Sequence, residues 1–372
     1  MQTPDATELL DGINRWAAIE SKTDEEAGIS RMMQQAMSEF RDAGLAVREI
    51  AGRDGHGPHF EAAVPWDDER PGIAVLCHLD TVHPAGTLER NPLRTEGDRA
   101  YGPGIYDMKG GVYLALNAIR TLIDAGTPTP LPIRFLVVSD EEVGSPTSRA
   151  HIEAIAERST YVLVTEPARD GGKIVTGRKG SARMTLAAHG VPSHSGTRHQ
   201  DGSSAVLEIA RQIVAIEALT DYERGITLNV GMVNGGSGVN VVPEFCTAEI
   251  DIRVIRPEDG DATVARIRNL ASHDPSVRLA STGGMNRPPY SKSNSVAALF
   301  EHARGLAAEL GFELEDTFTG GGSDGNFTAA ISPTLDGLGV DGAGAHTMDE
   351  HLLIPSLVPR MLLLRRLFQT LQ

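Results

Sequence analysis

Ile133-Arg134-Phe135-Leu136-Val137-Val138-Ser139-Asp140-Glu141-Glu142 is an apolar run that ends in three consecutive carboxylates. The run has the length and β-branched content of a strand covered on both faces. Carboxylates at such an end have to be paired, protonated or bound to metal, because desolvating them uncompensated is costly. Metal is the expected remedy. Outward from this stretch, Gly72 to Leu79 and Tyr161 to Thr165 repeat the near-continuous apolar mark, and Gly110 to Ala125 sets Leu116, Ile119 and Ile123 along one helical side. Strand, helix, strand, helix, strand is the grammar of an α/β sheet with parallel strands and crossover helices, whose ligands gather at the carboxyl ends of the strands.

At 372 residues the chain exceeds the size at which a single hydrophobic core stops growing, so two domains are expected. The balance of 34 basic against 50 acidic residues gives a formal charge of −16. That excludes nucleic acid and anionic membrane as partners, since both need a basic face. The start carries no basic segment leading into an apolar run, and no segment approaches the length of a membrane span, which makes the cytoplasm the expected location. Cys77 and Cys246 lie far apart, each inside a strand-like run, and read as buried thiols.

Residues 6 to 44 read as two helices, followed by short strands at Val47 to Ile50 and His59 to Val64. The grammar changes near Lys179. Arg183 to Ala188, Ile226 to Val233 and Cys246 to Ile255 read as half-buried strands, with Val277 to Ser281 as a fourth, and helices fit Gly202 to Leu219 and Asp261 to Ser272. From Asn294 the α/β pattern returns with a helix to Leu310, a strand at Thr334 to Val340 and a closing helix from Pro355 to Leu371. The expected organisation is a first domain split into residues 1–178 and 290–372, with an α+β insertion at 179–289.

Ligand-type residues sit at the expected strand ends: His78-Leu79-Asp80, Glu141-Glu142, Thr165-Glu166-Pro167 and Gly344-Ala345-His346. In His78-Leu79-Asp80 the period-two alternation puts both side chains on one face, where the carboxylate can orient the imidazole. Asp107 follows the glycine loop Tyr101 to Tyr106 and precedes a helix; it either bridges two cations or caps that helix. Glu166-Pro167 alternatively just ends a strand, and His351 rivals His346 as a ligand.

Together, Cys77 to Val82, Gly102 to Gly111, Ser139 to Gly144, Thr165-Glu166-Pro167 and Gly344 to Glu350 resemble, in order and spacing, the dizinc aminoacylase and carboxypeptidase family, metallopeptidase family twenty. That family includes acetylornithine deacetylase, succinyl-diaminopimelate desuccinylase and the folate-cleaving glutamate carboxypeptidases. Gly320 to Gly325 and Thr282 to Pro288 bring the chain nearest the last branch. The resemblance implies a zinc-exopeptidase-like catalytic domain, with a mixed, mostly parallel sheet and helices on both faces, plus an inserted lid and dimerisation domain. It implies two Zn2+ per chain, with Co2+ or Mn2+ suiting the same donors. One ion would take His78 and Glu166, the other Glu142 and His346, with Asp107 bridging. Asp80 would orient His78, and Glu141 would be the general base and acid. The peptide after Asp107 is expected to be cis. His83 adds an imidazole near the site.

By the same resemblance, Val191 to Gly196 presents His194 to a partner subunit's site in a homodimer, where it steadies the oxyanion. Asn240 would be a polar substrate contact, and Arg253 and Arg287 would hold a substrate carboxylate. The implied activity is cleavage of an N-acyl amino acid, or of a C-terminal and acidic residue of a short peptide. The alternatives are a deacylase acting on a cationic amino acid and a non-catalytic binding member of the fold. Gly102-Pro103-Gly104 lacks the third glycine of a dinucleotide fingerprint, and no G-x-S-x-G elbow supports a serine hydrolase.

Overall fold

The apolar run at 133–138 forms a central strand in the computed structural model, which describes residues 5–372. In spatial order its six-stranded sheet runs Ala46–Ile50, His59–Ala63, Ile133–Val138, Gly72–His78, Ser159–Val164, Thr334–Leu335. The last four are mutually parallel, and the first two form an antiparallel hairpin along one edge. The sheet is therefore mixed and mostly parallel.

Successive strand residues point to opposite faces, and both faces are dry. Ile73, Val75, Phe135 and Val137 join the core built with the helices Ala6–Ala17, Glu26–Asp42, Gly110–Asp124 and Leu357–Thr370. Ala74, Leu76, Leu136, Val138, Val162 and Val164 face the helix Arg149–Glu157 and Phe327 on the other side. Parallel register sets His78 level with Val138 and Leu76 level with Val164, so three chains emerge at the same edge of the sheet.

The strand expected over Thr334 to Val340 is shorter, only Thr334–Leu335. Gly337 takes φ 71° there, a left-handed turn that a glycine adopts without penalty and that bends the chain out of the sheet. Its continuation still pairs by backbone: Leu338 N donates to Val164 O, and Gly339 N to Glu166 O.

The chain divides into two compact units, the first made of the described residues through Gly177, then Lys292–Phe318 and Ser323–Gln372. The second is Arg178–Ser291 with Thr319–Gly322. That short return has no counterpart in the sequence reading. It joins the second unit because the buried Arg178 guanidinium donates to the carbonyls of Gly321 and Gly322, each at 3.2 Å.

The second unit is an antiparallel sheet in the order Thr227–Gly235, Phe245–Val254, Gly180–His189, Arg278–Arg287. Every second residue of Phe245–Val254, from Cys246 to Val254, points inward. There it meets Ile209 and Ile216 of the helix Ala205–Glu217 and Val264 and Ile267 of the helix Pro257–Arg268. Among the described residues, no helix is long and apolar enough to cross a membrane.

Candidate metal centre

Three of the expected ligands leave the parallel sheet at its carboxyl edge. His78 closes its strand, Glu142 lies in a single 3-10 turn after Ile133–Val138, and Glu166 follows Ser159–Val164. The other two come from loops. Asp107 follows Gly104, whose φ of 70° and place 2.5 Å from Thr81 Cγ2, measured from an added Cβ, leave room for glycine alone. The Asp107-Met108 peptide is cis. The helix Gly110–Asp124 starts after Lys109 with no side-chain cap, so the helix-cap reading of Asp107 is set aside. His346 stands just beyond Gly342–Ala343, a short strand of a separate antiparallel sheet.

These side chains converge in two groups of three: His78, Asp107 and Glu166, and Asp107, Glu142 and His346, with the candidate ligand atoms of each group within 4.8 Å of one another. Asp107 belongs to both. His78 Nε2 lies 3.3 Å from Asp107 Oδ1 and 3.5 Å from Glu166 Oε1; His346 Nε2 lies 3.2 Å from Glu142 Oε2 and 3.6 Å from Asp107 Oδ2. His78 is buried while the His346 side chain is 52% exposed, so the cluster opens to solvent beside His346.

The donors suit divalent cations on two observations. His78 Nε2, Asp107 Oδ1 and Glu142 Oε1 are buried with no hydrogen-bond partner, an arrangement native interiors avoid unless something else satisfies the atoms. Charge tells the same story. Burial works against protonating His78, yet Asp107, Asp80 and Glu166 around it raise its pKa well above the usual value. Asp107 and Glu142 push His346 up to about 10, and burial pushes Glu142 up to about 8. Burial would also raise Asp107, but His346 and His78 hold it well below the carboxylate range. The cluster demands positive charge, which protons on imidazole supply when no cation does. Oxygen and imidazole donors of this kind take zinc, cobalt or manganese.

A ring of further groups fixes the ligands. His78 Nδ1 donates to Asp80 O at 3.0 Å, while the Asp80 carboxylate is 3.4 Å away. That carboxylate accepts instead from Thr23 Oγ1 at 2.7 Å, Glu141 N at 3.2 Å and Glu142 N at 3.1 Å, and so holds the turn bearing both glutamates. The first of the three consecutive acids has a different use from the expected one. Asp140 is buried and accepts from Thr147 N and Oγ1 and from Ser148 N and Oγ, a set of four donors that needs no metal. His59 joins this network: its Nδ1 accepts from Ser139 N at 3.1 Å, which leaves Nε2–H to donate to Thr147 Oγ1 at 2.9 Å.

On the far side, Glu350 accepts from the backbone of the glycine loop and from His83. Arg169 Nη2 stands 3.7 Å from Glu166 Oε2. Thr23, Arg169 and Glu350 were not singled out from the sequence, and of these Glu350 alone lies in a stretch quoted there, Gly344 to Glu350. His351 lies outside both groups; its Nδ1 bonds Asp349 O and its ring packs on Tyr101.

The remaining candidates belong to the second unit. Ser193–His194 pairs with Val241–Val242, and Ser195 N donates to Asn240 O, which sets His194 and Asn240 side by side and exposed. His194 Nδ1 accepts from Gly196 N and Thr197 N, so its proton is on Nε2, facing outward. Arg287 is buried, and Arg253 is half-buried and paired with Asp251 at 2.8 Å.

Residues 74–370 match the model of peptidase family M20/M25/M40. Carboxypeptidase G2 of Pseudomonas sp. (strain RS-16) is 31% identical over 297 residues, 78% of this chain and 71% of that protein. The succinyl-diaminopimelate desuccinylase of Delftia acidovorans is 27% identical over 95% of this chain and 96% of its own. Among solved structures, an M20 family metallo-carboxypeptidase from Sulfolobus solfataricus covers 98% of this chain and 100% of its own at 16% identity, with a TM-score of 0.75. The aminopeptidase PepT of Bacillus cereus covers 99% of both at 22% identity, also with a TM-score of 0.75. A family match over most of the chain, on a fold that gathers two groups able to hold a cation around one shared carboxylate, has one reading: the chain belongs to peptidase family M20/M25/M40 and is a hydrolase of the metallopeptidase class.

Proposed function

We propose that the protein is a two-metal amidohydrolase that cleaves the amide bond of an N-acyl amino acid, or a C-terminal acidic residue of a short peptide. The observation that carries this reading is the sharing of Asp107 between two groups of ligands, with Glu141 adjacent to Glu142 yet outside both groups. Similarity to carboxypeptidase G2 supports it. In this reading His78 and Glu166 hold one ion and Glu142 and His346 the other, with Asp107 between them. Two Zn2+ bound there would acidify a shared water and polarise the scissile carbonyl. Glu141, its backbone tied to Asp80, takes the proton of the attacking water and hands it to the departing amine.

His194 presents an N–H donor suited to the developing oxyanion, with Asn240 beside it. Arg287 and Arg253 would hold the carboxylate of the released residue, Arg253 by exchanging its bond to Asp251. His194 acts on the site of a second copy in a homodimer. Support for that dimer comes from the second unit, where Leu207 and Val214 of one helix and Met232 and Val233 of the edge strand Thr227–Gly235 are exposed.

A second reading, a desuccinylase-type deacylase, is favoured by similarity to the Delftia enzyme along nearly the whole chain. A hydrolysis screen over N-acetyl, N-succinyl, N-benzoyl and pteroyl conjugates, with zinc, cobalt or manganese added, separates the two. Metal-dependent release of glutamate or aspartate is the expected result. Cleavage confined to succinyl conjugates of basic amino acids moves the assignment to the second reading, and two bound ions with no hydrolysis of any conjugate leaves only a binding protein.

A further inference from the structure

Glu350 is 1% exposed and four residues beyond His346, yet its carboxylate belongs to neither ligand group. Oε1 accepts from Tyr106 N and Asp107 N, each at 3.0 Å; Oε2 accepts from Gly104 N at 2.9 Å and from His83 Nε2 at 2.5 Å. The Glu350 carbonyl also accepts from Gly102 N at 3.2 Å. Four successive points of the loop from Gly102 to Asp107 therefore hang on one residue, and the last of them is the backbone N–H of the shared ligand. Three of the side-chain donors are amides that the loop cannot re-aim. His83, 8% exposed, is the fourth, and without it Oε2 would keep a single donor. Removing that donor leaves a buried carboxylate oxygen under-satisfied, at the desolvation cost of a charged group, and weakens the carboxylate's hold on the loop.

We infer that Glu350 and His83 form a positioning pair that fixes the carboxylate of Asp107, so that both cation sites depend on one hydrogen-bonded clamp outside them. The inference rests on the two-metal reading above. It differs from ordinary support of a single ligand in its consequence. Arg169 stands beside Glu166, and Asp80 touches His78 and the backbone of Glu142, one residue of each group, whereas the clamp acts on the single residue common to both groups. Loss of the clamp weakens both ions together, by the roughly 10- to 100-fold that outer partners of metal ligands typically control.

The test is calorimetric titration of metal-free protein with Zn2+, repeated with Co2+ and read by its visible spectrum. His83→Phe fills the ring's space without a donor, and His83→Gln returns an N–H near the position of Nε2. Wild-type protein is expected to bind two ions, His83→Phe to bind both about 10- to 100-fold more weakly with an altered Co2+ spectrum, and His83→Gln to recover most of that loss. Two ions in His83→Phe at wild-type affinity, loss of one ion alone, or equal losses in His83→Gln and His83→Phe overturns the inference while leaving the two-metal reading intact. Fewer than two ions in wild type overturns that reading and the inference with it. Should His83→Phe not fold, Glu350→Gln carries the same test: its oxygen can serve Tyr106 and Asp107 while its amide nitrogen faces Gly104 N–H, and the same joint weakening is expected.

Discussion

Replacing Thr23 by valine removes one hydroxyl and almost no volume from a position 4% exposed to solvent. That hydroxyl donates at 2.7 Å to Asp80 Oδ2, in a residue with no exposed surface. After the change Asp80 keeps only the amides of Glu141 and Glu142 and the more distant His78 ring. A hydrogen bond to a buried charge contributes about 1.5–3 kcal/mol, so the first unit should lose roughly that much stability. For domains of about 150–250 residues each kcal/mol moves Tm by about 2–4 °C, which gives a fall of about 3–12 °C. Scanning calorimetry of metal-loaded protein is the assay, with wild-type protein as the control. The same loss frees the turn that carries Glu141, and kcat should drop about tenfold to 100-fold at nearly constant KM. Thr23→Ser should recover most of both. An unchanged Tm and kcat in Thr23→Val, or a serine variant no better than valine, would refute the claim that this hydroxyl holds Asp80.

Glu141→Gln should bind two ions by titration yet turn over about 10²- to 10⁴-fold more slowly, and near-normal turnover removes Glu141 from proton transfer. In the second unit, burial pushes the Glu208 carboxyl up, but donors on Gln212, His273 and Asp274 outweigh it and lower the pKa below its ordinary 4.5. A depressed value means the unfolded chain takes the proton first. The contribution is therefore full above pH 4.5 and lost as pH falls through the folded value, and Glu208→Gln should flatten that acid limb in a Tm-against-pH series. Val214→Glu, on the exposed face of the helix Ala205–Glu217, should shift sedimentation toward monomer while leaving metal content unchanged; a persistent dimer would place the interface elsewhere.

The sheet was legible because a strand buried on both faces needs apolar residues throughout, and Gly72 to Leu79, Ile133 to Ser139 and Tyr161 to Thr165 announce that requirement one residue at a time. The five candidate ligand positions could be picked out only as a set, since each of His78, Asp107, Glu142, Glu166 and His346 alone has an ordinary reading, and the structure brings them into two groups that share Asp107. What stayed hidden was the support around them. A buried threonine such as Thr23 looks like any other hydroxyl in a connector, and Asp140 cannot be told from its neighbours Glu141 and Glu142 until Thr147 and Ser148 are seen to close on it. The truncated strand after Thr334 escaped for the opposite reason: Leu338 and Val340 are buried, but on a chain already turned by Gly337.

Arg360, on the helix Leu357–Thr370, donates through its buried guanidinium to the carbonyls of Gly337, Gly339 and Gly172, and Gly339 in turn holds the backbone of Glu166. His346, Glu350 and Arg360 all emerge from the ribosome after the entire second unit. A nascent chain thus carries His78, Asp107, Glu142 and Glu166 before Glu350 and Arg360 can brace them. The order of synthesis therefore brings His346 to Asp107 and Glu142 only after the whole second unit has been made.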